Sequence, residues 1–224
     1  MMIKNFSRTV PVGIVLLLIA AGPAISAAAE EVIEPPIAVV EQAAASLQQK
    51  LEGRQEYFAK NRAELYQLIN EIMLPNFDVR YAGKLVLGKT HWLAATEEQR
   101  DRFIDVFYSF LVRTYAKGVL EFDQSKLTIS PKPSYSKDGA KAMVRTEFAV
   151  EGGDNVQVNY AVRRIEEGWK IYDVRVDGVS YIQNYRSQFD AEITAQGIEA
   201  VIVRLEQEIM KAEKEGKSDQ PQAI

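Results

Sequence analysis

The run from Val156 to Gly178 constrains this chain more than any other, because its apolar residues alternate on both sides of a single turn signal and admit few pairings. With Glu166-Glu167-Gly168 as a three-residue loop and Gly168 in a left-handed conformation, Ile165 pairs with Trp169. Val162 then faces Tyr172, Tyr160 faces Val174 and Val158 faces Val176 on one side, while Asn159 with Arg175 and Arg163 with Ile171 take the other. A two-residue loop that pairs Val162 with Asp173 and Tyr160 with Arg175 loses this pattern, so the alternation selects the longer loop.

The preceding segment extends the same face. A strand over Ala142–Val150 and a loop Gly152-Gly153-Asp154 pair Val150 with Val156, Phe148 with Val158, Thr146 with Tyr160 and Val144 with Val162. Lys126–Ser130 forms a short strand closed by Pro131 and Pro133, and Lys137-Asp138-Gly139 is a turn. A sheet with one oily side needs a helical cover. Val39, Val40, Ala43, Leu47 and Leu51 recur at helical spacing after Pro35-Pro36, and a second helix from Tyr57 ends at Leu74-Pro75. Asn76 caps a third helix that Gly88 stops. Thr96-Glu97-Glu98-Gln99 is a capping box opening a long helix whose stripe Phe103, Phe107, Phe110, Leu111 and Tyr115 seeks the sheet. Two more amphipathic runs flank a break at Gly197, and Lys211 onward has no apolar period. The order of helices, antiparallel strands and helices gives an α+β fold with helices packed on one face of a curved sheet.

Composition sets the compartment. Lys4 and Arg8, the apolar run Val10–Ile25 and Ser26-Ala27-Ala28-Ala29 form a secretory signal over residues 1–29. Residues 30–215 make one domain, and residues 216–224 a disordered tail. Without Lys4 and Arg8, 25 basic residues stand against 31 acidic ones, about −6, a balance that disfavours nucleic acid and, in bulk, anionic headgroups. An exported chain with no cysteine holds its fold by packing alone, which suits the periplasm.

Little points to bond-making chemistry. One histidine, His91, and no cysteine leave few nucleophile–base pairs and no expected metal or cofactor site. Asp173 and Asp177 could serve acid–base work, but Arg163 and Arg175 nearby favour a surface ion-pair network. Three functions stay open on the residues: an apolar ligand carrier, a hydrolase or isomerase using Asp173 or His91, and a structural adaptor with a filled core.

Two stretches narrow the choice. Leu85–Trp92 (LVLGKTHW) with Ala95–Arg100 and Phe103, and Gly168–Val174 (GWKIYDV) with Val176–Ser180 and Asn184–Phe189, resemble the MlaC family, the periplasmic phospholipid-binding component of the Mla ABC transport system, also called the toluene-tolerance auxiliary component. The resemblance covers roughly residues 35 to 210. It implies a sheet related to the nuclear-transport-factor-2-like fold, with an apolar cavity between sheet and helices, and a monomeric carrier, not an enzyme. Its partners by resemblance are phospholipid, an outer-membrane lipoprotein–porin complex and an inner-membrane MCE-domain transporter. Combined with the registers above, it implies a cavity wall of Phe107, Leu111, Tyr115, Val144, Phe148, Val158, Tyr160, Val162, Tyr172, Val174, Val176 and Val179.

Overall fold

The computed structural model describes residues 34–218, and the side chains of residues 34–214; the expected signal sequence over residues 1–29 and the end of the expected tail, residues 219–224, lie outside this range. The helices are α1 (Pro36–Leu51), α2 (Gln55–Lys60), α3 (Arg62–Asn76), α4 (Val79–Ala94), α5 (Glu97–Leu120), α6 (Tyr181–Gln196) and α7 (Ile198–Ser218). The strands are β1 (Leu127–Ile129), β2 (Ser134–Tyr135), β3 (Lys141–Val144), β4 (Thr146–Phe148), β5 (Val156–Ile165), β6 (Gly168–Val176) and β7 (Val179–Ser180). They form an open antiparallel sheet in which β5 pairs with β3 and β4 on one side and β6 on the other.

Local chemistry explains most boundaries. Thr96 accepts from the Gln99 amide while the Gln99 side chain accepts from the Thr96 amide, the reciprocal cap expected for α5. The second helix is interrupted at Asn61 into α2 and α3, and α3 continues through Pro75 to Asn76. Asp78, rather than Asn76, caps α4 by accepting from the Tyr81 amide at 2.9 Å. Gly88, at φ +69°, breaks α4 as expected, but another helical turn follows it. Helix α7 runs past Met210 to Ser218, so the segment read as a tail is helical at least that far. Its Lys, Glu and Ala residues have high helix propensity, and Glu213 accepts from Arg113 of α5 at 2.6 Å.

The long hairpin departs from the expected register in an instructive way. Its connection is only Glu166-Glu167, with Ile165 opposite Gly168 (φ +120°) and Val162 opposite Ile171. A bulge between Ala161 and Val162 then adds back one residue on β6, which restores Tyr160 opposite Val174 and Val158 opposite Val176. Tyr172 is the extra residue, and it leaves the apolar side to pack edge to face on Tyr81 of α4 at 5.3 Å. Strands β3 and β4 are likewise shifted by two residues, giving Val144 opposite Tyr160 and Phe148 opposite Val156. A two-residue slip preserves the faces, so alternation cannot see it. The hydrogen bonds from Thr146 Oγ1 to the Val158 carbonyl and from the Thr146 amide to Asn159 Oδ1 fix it instead.

Helix α5 does not lie mainly on the sheet. Its N-terminal half buries Phe103, Ile104 and Phe107 against Phe189 of α6 and Val201, Ile202 and Leu205 of α7. Its C-terminal half buries Val112 and Ala116 against Leu51, Phe58, Leu65 and Leu68 of α1–α3. The long amphipathic stripe therefore belongs to two cores that approach it from different sides.

Candidate functional site

The apolar side of the sheet is filled at one end and open at the other. Near the hairpin turn, Ala142, Val144, Val162 and Ile171 are buried under Val39 and Val40 of α1, and Val144 and Val162 have no exposed surface. Further along the same strands, Val158, Tyr160, Val174 and Val176 are only half-buried. Phe148 is half-buried beside them, its ring 6.0 Å from that of Phe122, which follows α5.

Helix α5 repeats this pattern. The stripe that is closed at Phe103 and Phe107 continues through Phe110 and Leu111, which are half-buried, to Thr114 and Tyr115, which are exposed. Phe122 lies eleven residues after Leu111 and would stay in phase with it along a continuing helix. That spacing is the sequence signal for its role, although α5 itself ends at Leu120. Tyr115 meets Tyr181, the first residue of α6, edge to face at 5.3 Å, and its hydroxyl is 3.1 Å from that of Tyr185. Burial, and then the contact with Tyr185, push the Tyr115 phenol up to about 12; burial also raises Tyr181 and Tyr185. This corner thus stays uncharged while presenting hydroxyls.

The candidate residues therefore separate into groups. Leu111, Phe148, Val158, Tyr160, Val174 and Val176 line the half-open apolar surfaces, with Tyr115 at their margin. Phe107, Val144 and Val162 are enclosed by neighbouring side chains. Val179 pairs with Val176 across the β6–β7 turn and is 61% exposed. Tyr172 alone has moved to the opposite side of the sheet, because the bulge inserts it there.

The polar candidates have structural partners. Asp173 is buried, not a surface carboxylate: Oδ2 accepts from the Ser180 hydroxyl at 2.7 Å and Oδ1 from the Ile182 amide at 3.1 Å. Arg163 pairs with Asp78 rather than with Asp173, whereas Arg175 does pair with Asp173, its Nε 3.5 Å from Oδ2. His91 Nε2 lies 2.7 Å from Asp190 and joins α4 to α6. Among the described residues, no group of three or more His, Cys, Asp or Glu side chains has metal-holding geometry, and no helix is long and apolar enough to cross a membrane.

The chain is similar to known proteins in sequence and in fold. The solved phospholipid-binding protein from Ralstonia solanacearum, in complex with a phospholipid, superimposes with a TM-score of 0.70 at 25% identity, covering 80% of this chain and 99% of that one. The toluene tolerance protein ttg2D of Pseudomonas putida is 27% identical over 151 residues, 67% of this chain and 69% of the relative. The intermembrane phospholipid transport system binding protein MlaC of Haemophilus influenzae is 22% identical over 171 residues, 75% of this chain and 79% of the relative. The family model described as MlaC protein matches residues 41–207, from α1 to α7 and across every strand. The chain belongs to the MlaC family.

Proposed function

We propose that this protein is a periplasmic carrier that shuttles glycerophospholipid between an outer-membrane lipoprotein–porin complex and an inner-membrane MCE-domain transporter. The observation that carries this reading is the pair of half-open apolar surfaces, on β4–β6 and on the C-terminal half of α5, in a chain whose structural relative holds a phospholipid. Burying a methylene is worth about 0.8 kcal/mol, so two acyl chains of about fifteen carbons represent on the order of 20 kcal/mol. A lipid leaves a bilayer usefully only into a slot of comparable dryness. Val158, Val174 and Val176 supply one wall, Leu111 and Tyr115 another, and Phe122 with Phe148 the junction. Tyr160 continues the sheet wall inward.

The same surfaces argue against the enzyme alternative, since Asp173 has both oxygens engaged by the start of α6. They also argue against an adaptor with a filled core, for which the apolar surfaces should be closed throughout. Native mass spectrometry of protein purified after exposure to membranes should show bound phospholipid. An apo mass alone would refute the carrier reading.

A further inference from the structure

We propose that the polar side of β3, β5 and β6, opposite the apolar surface, is a docking face for an acidic protein partner. The proposal rests on the carrier reading, which requires partners at both ends of the journey. Its observation is separate: the strand register places Lys141, Arg163 and Lys170 directly across from one another in a single row over three adjacent strands. Like charges directly opposite destabilise a sheet, and among the described residues the ion pair made by this row is that of Arg163 with Asp78. Arg175 lies two rows further along, opposite Asn159. Arg145, exposed just beyond β3, donates to Ser134 Oγ at 2.7 Å on the same side. Asp173, engaged by Ser180 and Ile182, also lies 3.5 Å from Arg175 Nε, so Arg175 is paired within the chain and the cations without an acidic partner on this face are Lys141, Arg145 and Lys170 among the described residues.

The cations are held in place. The Lys141 ammonium donates to the Tyr81 hydroxyl at 2.9 Å and lies 5.4 and 5.5 Å from the ring centres of Tyr81 and Tyr172, while the Arg163 guanidinium is 4.3 Å from that of Tyr81. Such ordering lowers the entropy lost when an anion arrives. A chain with net charge −4 thus gathers positive charge on one sheet face, a segregation that its overall balance conceals.

Charge and shape together favour a protein over a bilayer. The aromatic rings on this face, Tyr81 and Tyr172, pack on each other under the cations, and Met143, opposite Ala161 on the same face, is half-buried, so little apolar surface is offered for insertion. A bilayer would also meet the chain's net negative charge, whereas an acidic protein patch of matching size would meet the cationic face alone. Docking dominated by such charges forms quickly and releases readily, as a shuttle needs.

The test measures binding of the full mature chain to the purified MCE-domain transporter and to the lipoprotein–porin complex, alongside Lys141→Gln/Arg145→Gln/Lys170→Gln. Wild-type affinity for at least one complex should fall as ionic strength rises, and the triple variant should bind that complex roughly tenfold more weakly with a shallower salt dependence. Its melting temperature and phospholipid occupancy should match the wild type. Unchanged affinity of the folded variant, salt-independent wild-type binding, or no wild-type binding to either complex would each overturn the proposal. So would wild-type flotation with phosphatidylglycerol vesicles that the variant loses, which would assign the face to a membrane. A wild-type protein free of phospholipid refutes the carrier reading instead and leaves the binding measurement standing.

Discussion

The Ser180 hydroxyl donates to Oδ2 of Asp173 at 2.7 Å and accepts from the Gln183 amide at 3.1 Å, so one side chain both caps α6 and ties it to β6. Asp173→Ala removes the acceptor for Ser180 and for the Ile182 amide inside the protein. The expected loss is about 2 kcal/mol or more, read from urea unfolding, with bound phospholipid retained by the folded fraction. An unchanged unfolding midpoint would show that these bonds do not hold α6.

The Arg204 guanidinium contacts Glu192 of α6 at 2.7 Å and Glu208 of its own helix at 2.7 Å. Hydrogen bonding to Arg204 lowers the Glu192 pKa from its ordinary 4.5, and the Arg204 pKa is raised in return. A depressed carboxylate pKa contributes stability that is present above the unfolded value and lost as pH falls through the folded value. Arg204→Gln should therefore be less stable than the wild type at neutral pH, by up to about 1 kcal/mol for this partly exposed pair. Thermal melts from pH 7 downward should show the gap narrowing below pH 4.5. A constant gap would point to lost packing by the Arg204 stem instead.

Gly88 combines φ +69° with the Arg186 guanidinium, whose Nη2 would lie 2.8 Å from an added Cβ. Gly88→Ala should cost roughly 1–2 kcal/mol, mostly through the left-handed backbone. Because Arg186 is flexible at its tip, Gly88→Ala/Arg186→Ala should recover only a minor part. Full recovery in this double-mutant cycle would mean that the side-chain clash, and not the backbone, sets the cost.

Val174 and Val144 lie on the same side of the sheet but differ in cover. Val174→Glu places a carboxylate on a half-open surface, so it should abolish most phospholipid occupancy while the protein still melts cooperatively. Val144→Glu buries the charge in a closed core and should unfold the domain. Circular dichroism with native mass spectrometry separates the two, and equal unfolding by both would mean that Val174 is ordinary core.

Phe107→Ala should act as a core truncation, losing about 3–5 kcal/mol because its ring packs against Phe103, Phe189 and Tyr185. Tyr115→Ala, at an exposed margin, should cost far less stability than that. A Tyr115→Ala variant as unstable as Phe107→Ala would contradict the division of α5 into closed and open halves.

The alternation around Tyr160, Val174, Val158 and Val176 made their pairing legible, and the capping box at Thr96 and Gln99 likewise announced α5. The one-residue bulge at Tyr172 was not legible, since period-two arithmetic assumes an unbroken ladder. Nor was the two-residue slip of Val144 and Phe148, because it leaves every side chain on its original face. The candidate site was readable as a set of apolar faces, but their degree of closure was not. Val162 and Val158 look alike in sequence, and only the position of α1 closes one while leaving the other half-open.

The split burial of α5 has a mechanical consequence. A 24-residue helix is about 36 Å long, and this one is clamped by aromatic packing near Phe103 and Phe107 and again on its far side at Val112 and Ala116. Such a shaft resists bending, so widening the space beside Leu111 and Tyr115 calls for a small roll or tilt of the whole rod against its two bearings. Amide exchange should then show continuous protection from Phe103 through Ala116, with any loosening shared by α6 and α1–α3 rather than concentrated at a kink within α5.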